Sequence, residues 1–245
     1  SLFTIPVQVN LTLGSGTSIA YGANDRIINI ENLLGGSDND TLTGDVSDNL
    51  LVGGDGDDIL TGMAGNDTYL FADNWGVDTV IELAGVGVDT LSFGGTTLPG
   101  FPDLIILPTS ADLAFHILTG GITVSEAGNL VTYSDADAAP LDVENLVGGD
   151  GDDTFTFDDG TFLPGAIDGG LGDDTLDYSA FTSPLDLQLT RIGSSGAGFA
   201  GTELSIGDEF ENIDAVIGGL SVDDALTGMD AFATFYIYAL DNLYT

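Results

Sequence analysis

Eight nine-residue stretches place an oxygen-bearing side chain at their sixth position: Asp40, Asn49, Asp58, Asp67, Asp78, Asp89, Asp153 and Asp174. Glycine dominates the first, second and fourth positions of the same stretches. Irregular glycine turns leave backbone carbonyls outside any ladder. Carbonyl and carboxylate oxygens together are the ligand set of a hard divalent cation, which takes about 6–8 oxygens at roughly 2.3–2.6 Å. The competing reading is that each aspartate only closes a hydrogen-bonded Asx turn.

Charge favours the cation. The chain has 245 residues, 40 Asp and Glu, and a formal net charge of −38. It has no Lys, and only Arg26 and Arg191 are basic. Two like charges about 4 Å apart repel by roughly 4 kcal/mol at an effective dielectric of about 20. Clustered turn carboxylates therefore oppose folding unless a counter-ion joins them, and the chain cannot supply one. The same shortage excludes a basic patch for nucleic acid or phosphate. Cys is absent, which excludes disulfides and thiolate sites. Hydrophobic residues make up 43% of the chain, enough for a core, so this is not an acidic disordered tail. No apolar run approaches the roughly 20 residues that span a bilayer, so no membrane insertion is expected. Residue 1 is Ser and no leader pattern follows, which reads as a processed, fragmentary or engineered chain.

The elements that position the donors follow from the repeat. Gly35–Thr43 (GGSDNDTLT), Gly44–Val52 (GDVSDNLLV), Gly53–Thr61 (GGDGDDILT) and Gly62–Leu70 (GMAGNDTYL) are contiguous. Asp73–Ile81, Ala84–Ser92, Gly148–Thr156 and Gly169–Asp177 follow at irregular intervals. The eighth position is always large and apolar: Leu42, Leu51, Leu60, Tyr69, Val80, Leu91, Phe155 and Leu176. Glycine-rich hexapeptides make turns, and the last three residues make a short strand whose middle side chain points inward. Turn and strand alternating every nine residues give a coil of two turns and two strands. Such coils bury almost nothing alone and must stack. The expected fold is all-β, a right-handed parallel β-solenoid (β-roll or β-helix).

The pattern GGxGxDxUx resembles the calcium-binding nonapeptide of the RTX β-roll family. The resemblance implies Ca²⁺, several ions, held between turns one coil apart. It also implies the ligands: sixth-position side chains Asp40, Asn49, Asp58, Asp67, Asp78, Asp89, Asp153 and Asp174, with turn carbonyls. The carbonyl candidates are Gly35, Ser37, Gly53, Asp55, Gly62, Ala64, Gly148, Asp150, Gly169 and Leu171. Gly35–Asp40 is expected to stack with Gly53–Asp58, and Gly44–Asn49 with Gly62–Asp67. Asn49, Asp45, Ser47 and Asp38 depart from the pattern. The spacing widens after Gly62, so the turns of Asp78 and Asp89 hold calcium by a modified geometry or not at all.

A second repeat frames the first. INIENLLGG (28–36), LDVENLVGG (141–149) and FENIDAVIGG (210–219) each read as a strand leading into a coil, the last into the degraded copy GGLSVDD (218–224). Blocks are expected at 1–100, 101–190 and 191–245 along one continuous solenoid. Residues 95–140 lack the nonapeptide and read as non-calcium rungs or an appended sheet. Phe3, Ile5, Val7, Val9, Leu11 and Leu13 alternate as a half-buried strand, and AFATFYIYAL (231–240) is strongly β-prone. Both terminal strands either cap the solenoid or pair with a neighbouring copy.

His116 is the only histidine, which excludes HExxH zinc sites; its alternating strand context reads as structural. No GxSxG elbow is present. Seventh-position threonines are interrupted by Leu50 and Ile59, so a flat threonine array is not supported. The reading is a non-catalytic, calcium-stabilised structural or adhesive solenoid, secreted to the bacterial cell surface or extracellular matrix. Extracellular modules bind calcium at about 10⁻⁴–10⁻³ M, so folding would follow export. A cell-surface glycan or matrix component is a candidate partner, as is end-to-end self-association. The alternatives are a self-polymerising fibre subunit joined through its terminal strands and the non-catalytic module of a secreted carbohydrate-active enzyme.

Overall fold

The computed structural model describes residues 6–12, 15–18, 23–26, 30–83, 87–97, 105–106, 109–134, 141–196, 198–228 and 237–238. The chain is all-β, with no helix among the described residues. Each nonapeptide ends in a short strand: Thr41–Thr43, Leu50–Val52, Ile59–Thr61, Thr68–Leu70, Val77–Ile81, Thr90–Ser92, Thr154–Phe157 and Thr175–Asp177. The first six of these fall alternately into two sheets, of thirteen and ten strands, and the last two both lie in the first. In the first sheet Leu42 pairs in parallel register with Leu60, and Leu60 with Val80. In the second, Leu51 pairs with Tyr69, Tyr69 with Leu91, and Leu91 with Leu146.

This register lines up the eighth-position side chains, and every one of them is buried. An aromatic row continues the core. Phe71 stacks on Phe93 at 5.0 Å, Phe93 meets Phe115 edge-on at 5.4 Å, and Phe115 stacks on Phe155 at 4.3 Å. Phe157 then stacks on Tyr178 at 4.8 Å. Trp75 lies 5.1 Å from Phe93. Burying each such ring contributes about 1.5–3 kcal/mol, and edge-to-face or offset pairs add about 0.5–1.5 kcal/mol.

Parallel pairing is not general among the described strands. Ala114–Leu118, Gly121–Glu126 and Asn129–Ser134 form an antiparallel meander. It is inserted in the first sheet between Thr154–Phe157 and Val77–Ile81, pairing in parallel with each. The reason is turn chemistry. Gly120 and Gly128, at φ of 82° and 100°, are the second residues of two-residue loops, where positive φ favours glycine and lets the chain reverse. Similar antiparallel pairs join Asp186–Ile192, Phe199–Thr202 and Phe210–Ile213, and Val7–Asn10, Ser15–Ser18 and Ala23–Arg26.

Val7–Asn10 pairs in parallel with Thr41–Thr43 of its own chain. Val7 and Val9 pack on the core and Leu11 is buried. Phe3, Ile5 and Leu13 lie outside the described residues. Of 231–240, only Ile237–Tyr238 is described; it pairs with Val216–Ile217.

Candidate metal centre

The turns between strands stack as the strands do, and the sixth-position side chain ties each turn to its neighbour. Asp40 N–H donates to Asp58 Oδ1 at 2.7 Å, and Asp58 N–H donates to Asp78 Oδ1 at 2.8 Å. On the other edge, Asn49 N–H donates to Asp67 Oδ1, and Asp67 N–H to Asp89 Oδ1, each at 2.7 Å. A third ladder runs from Leu113 N–H to Asp153 Oδ1 and from Asp153 N–H to Asp174 Oδ1, at 2.8 and 2.9 Å. All eight sixth-position residues are buried.

The fifth position makes an outer ladder of opposite sense. Asp57 N–H donates to Asn39 Oδ1, Asn66 N–H to Asp48 Oδ1, and Asp173 N–H to Asp152 Oδ1. Each coil thus gives one side chain to the coil before it and receives one from it. Third-position amides of Asp55, Ala64 and Leu171 donate to the second-position carbonyls of Gly36, Asp45 and Gly149. Gly54, at φ 104°, shows why this stack needs glycine: an added methyl would run into Gly36 O of the neighbouring coil.

One carboxylate oxygen remains. Oδ2 of Asp58, Asp67, Asp78 and Asp174 is buried without a hydrogen-bond partner. Oδ2 of Asp40 and Asp153 instead accepts the amides of Gly36 (2.5 Å) and Gly149 (2.7 Å), and Asn49 Oδ1 accepts that of Asp45 (2.7 Å). The first-position glycines leave open the face toward which these oxygens turn. An added methyl on Gly35 would collide with both Asp40 Oδ2 and Gly53 O, and one on Gly148 with Asp153 Oδ2 and Gly169 O. First-position Gly53, Gly62, Gly148 and Gly169 are buried, whereas third-position Asp55, Asp150 and Leu171 are exposed.

Burial disfavours the charged form of these carboxyls. Burial, then like-charge neighbours, pushes Asp58, Asp89, Asp153 and Asp174 up to about 7. Asp78 rises to about 8 and Asp67 to about 6 for the same first reason. An unpaired buried carboxylate is costly. An oxygen-only donor set of carboxylates and turn carbonyls, with orphan oxygens facing glycine, fits a hard divalent cation.

Several participants carry no nonapeptide signal. Glu144 Oε2 accepts Asp89 N–H at 2.6 Å and Asp214 Oδ2 accepts Asp174 N–H at 3.2 Å, extending two ladders. Glu144 belongs to the repeated Glu-Asn motif, which could have flagged it. Residues 109–113, TSADL, form a turn without glycine. Gly149 and Gly151 approach Thr109 O and Ala111 O, and Asp112 Oδ1 accepts Asp152 N–H. Residues 84–86, in the turn before Asp89, lie outside the described residues. His116 Nε2 sits 2.9 Å from Asp158 Oδ1, half-exposed and away from these turns.

Stacked turns of this kind, on parallel strands with an apolar interior, define a repeat protein whose turns are built for a cation. The family model of the RTX calcium-binding nonapeptide repeat matches the chain in four copies, over residues 34–69, 144–161 and 166–181. The chain carries RTX nonapeptide repeats, and such repeats bind Ca²⁺. No curated protein matches the chain.

Proposed function

We propose that the chain is an extracellular, calcium-stabilised structural or adhesive module, a right-handed β-solenoid whose folding follows export. Proteins carrying these repeats are typically secreted, and the repeats are typically non-catalytic. The observation that carries the reading is the buried carboxylate ladder with orphan oxygens on Asp58, Asp67, Asp78 and Asp174. Among the described side chains, no cation pairs with it. Arg191 is committed to Glu209 and Glu211, and there is no Lys.

In this reading the ligands are the sixth-position side chains and the first- and third-position carbonyls of adjacent turns. Calcium replaces the missing counter-charge, so binding free energy becomes folding free energy. The blocks 1–100, 101–190 and 191–245 act as one solenoid. A sheet that runs from Val7–Asn10 to Ile237–Tyr238 supports that continuity.

The test is a calcium titration followed by circular dichroism and light scattering, with magnesium as control. A cooperative gain of β signal at millimolar or lower calcium, absent with magnesium, is expected. A chain fully folded in chelator would overturn the reading. Scattering that rises in the same step would indicate a polymerising subunit instead of an isolated module.

A further inference from the structure

The turn that follows Val77–Ile81 opens on a different residue from the regular turns. In regular coils the first-position amide donates to the last strand carbonyl of the next coil: Gly35 N–H to Val52 O and Gly44 N–H to Thr61 O, each 2.8 Å. The residues after those carbonyls are Gly53 and Gly62, and their own carbonyls crowd Gly35 and Gly44. Gly62 N–H likewise donates to Ile81 O at 3.3 Å. The residue after Ile81 is Glu82, where the repeat would place glycine.

Glu82 changes the donor that faces Gly62. No backbone carbonyl is among its nearest neighbours there. An added methyl on Gly62 would instead meet Asp67 Oδ2, Glu82 Oε1 and the Tyr69 hydroxyl. Asp67 Oδ2 is buried and has no hydrogen-bond partner. Carboxylate oxygens of Asp67, Glu82 and Asp89 all lie within 4.8 Å of one another. Asp67 is 1% exposed and Asp89 2%. The Tyr69 hydroxyl donates to Glu82 Oε1, and Leu83 N–H donates to Glu82 Oε2 at 3.2 Å. These contacts hold the glutamate carboxylate over the gap. Three carboxylates this close repel strongly out of bulk water.

We propose that Asp67, Glu82 and Asp89 form a three-carboxylate divalent-cation site in which the Glu82 side chain replaces the first-position carbonyl of the regular turn. The inference rests on the calcium-binding reading above and adds a ligand from outside the repeat. Affinity of oxygen sites for calcium-class ions rises with the number of charged ligands. This site therefore binds more tightly than turns contributing one or two carboxylates, and it fills first.

Terbium is the probe, because Tyr69 adjoins the site and sensitises a lanthanide bound there. Tyrosine-excited terbium emission is titrated on wild type, Glu82→Gln and the control Glu126→Gln, with calcium as competitor. Glu82→Gln should raise half-saturation of the sensitised component about tenfold or more, with Glu126→Gln at the wild-type value. Equal half-saturation in Glu82→Gln and wild type would overturn the proposal and leave the calcium reading standing. Wild type giving neither terbium emission nor calcium-dependent β signal would remove that reading, and this one with it. If Glu82→Gln does not fold, anomalous scattering from terbium-soaked wild-type crystals decides. A peak bound by Glu82 and Asp67 supports the site; a peak bound by Asp67 and backbone alone, with Glu82 bonded only to Tyr69, sinks it.

Discussion

The turns at 53–67 and the meander at 114–134 answer the same problem, keeping buried backbone satisfied, by opposite means. The meander closes its hairpins with Gly120 and Gly128 and pairs register by register, from Phe115 with Val124 to Val124 with Val131. Its glycine at 128 has nothing within 4 Å of where a side chain would start. The turns are crowded, charged and satisfied only in part, with Oδ2 of Asp58 and Asp67 orphaned. One region pairs strand to strand along its length; the other leaves buried carboxylate oxygens unpaired.

The largest expected effect is removal of calcium. In chelator at pH 8, amides of the 53–58 and 62–67 turns should lose hydrogen-exchange protection before those of 114–134. Equal loss in both regions would dissolve the contrast.

Next comes the core that joins them. Phe93 lies between Phe71 and Phe115, so Phe93→Ala should cost about 3–5 kcal/mol in calcium-saturated denaturant unfolding. Asp58→Asn sharpens the comparison by changing sign with conditions. It should weaken calcium-driven folding about tenfold in midpoint, yet stabilise the metal-free chain, because a neutral amide replaces a buried charge.

Proton linkage gives the fourth expectation. Burial raises the folded values of Asp58, Asp67 and Asp78 from 3.8 to about 7, 6 and 8. The folded metal-free chain then binds protons more tightly than the unfolded one. Its stability is fullest below about 4 and is lost as pH rises through about 6 to 8. Acidifying the chelated protein from pH 8 to pH 5 should therefore recover β signal by circular dichroism. With calcium the trend reverses, because protons compete for the ligands.

The smallest effect separates the two kinds of glycine. Gly128→Ala meets no atom and pays only for its φ of 100°, about 1–2 kcal/mol. Gly54→Ala adds a collision with Gly36 O and should lower the thermal midpoint further.

The sequence by itself determined the regular part of the molecule. The Asp and apolar columns, nine residues apart, imply turn, strand and inward side chain, because each is a local consequence of glycine freedom and strand alternation. Leu42, Leu60 and Val80 could be aligned by counting. Counting fails where the period breaks. Whether 95–140 made coils or a sheet depended on which strands found partners across the insertion, decided when Phe93 met Phe115 and Asn129–Ser134 paired with Val77–Ile81. The glycine-free turn at Thr109, the ladder ends at Glu144 and Asp214, and Glu82 at a glycine position have no nonapeptide signature. Their roles come from stacking residues distant in sequence, up to 55 apart between Asp89 and Glu144, and only the tertiary structure brings those together.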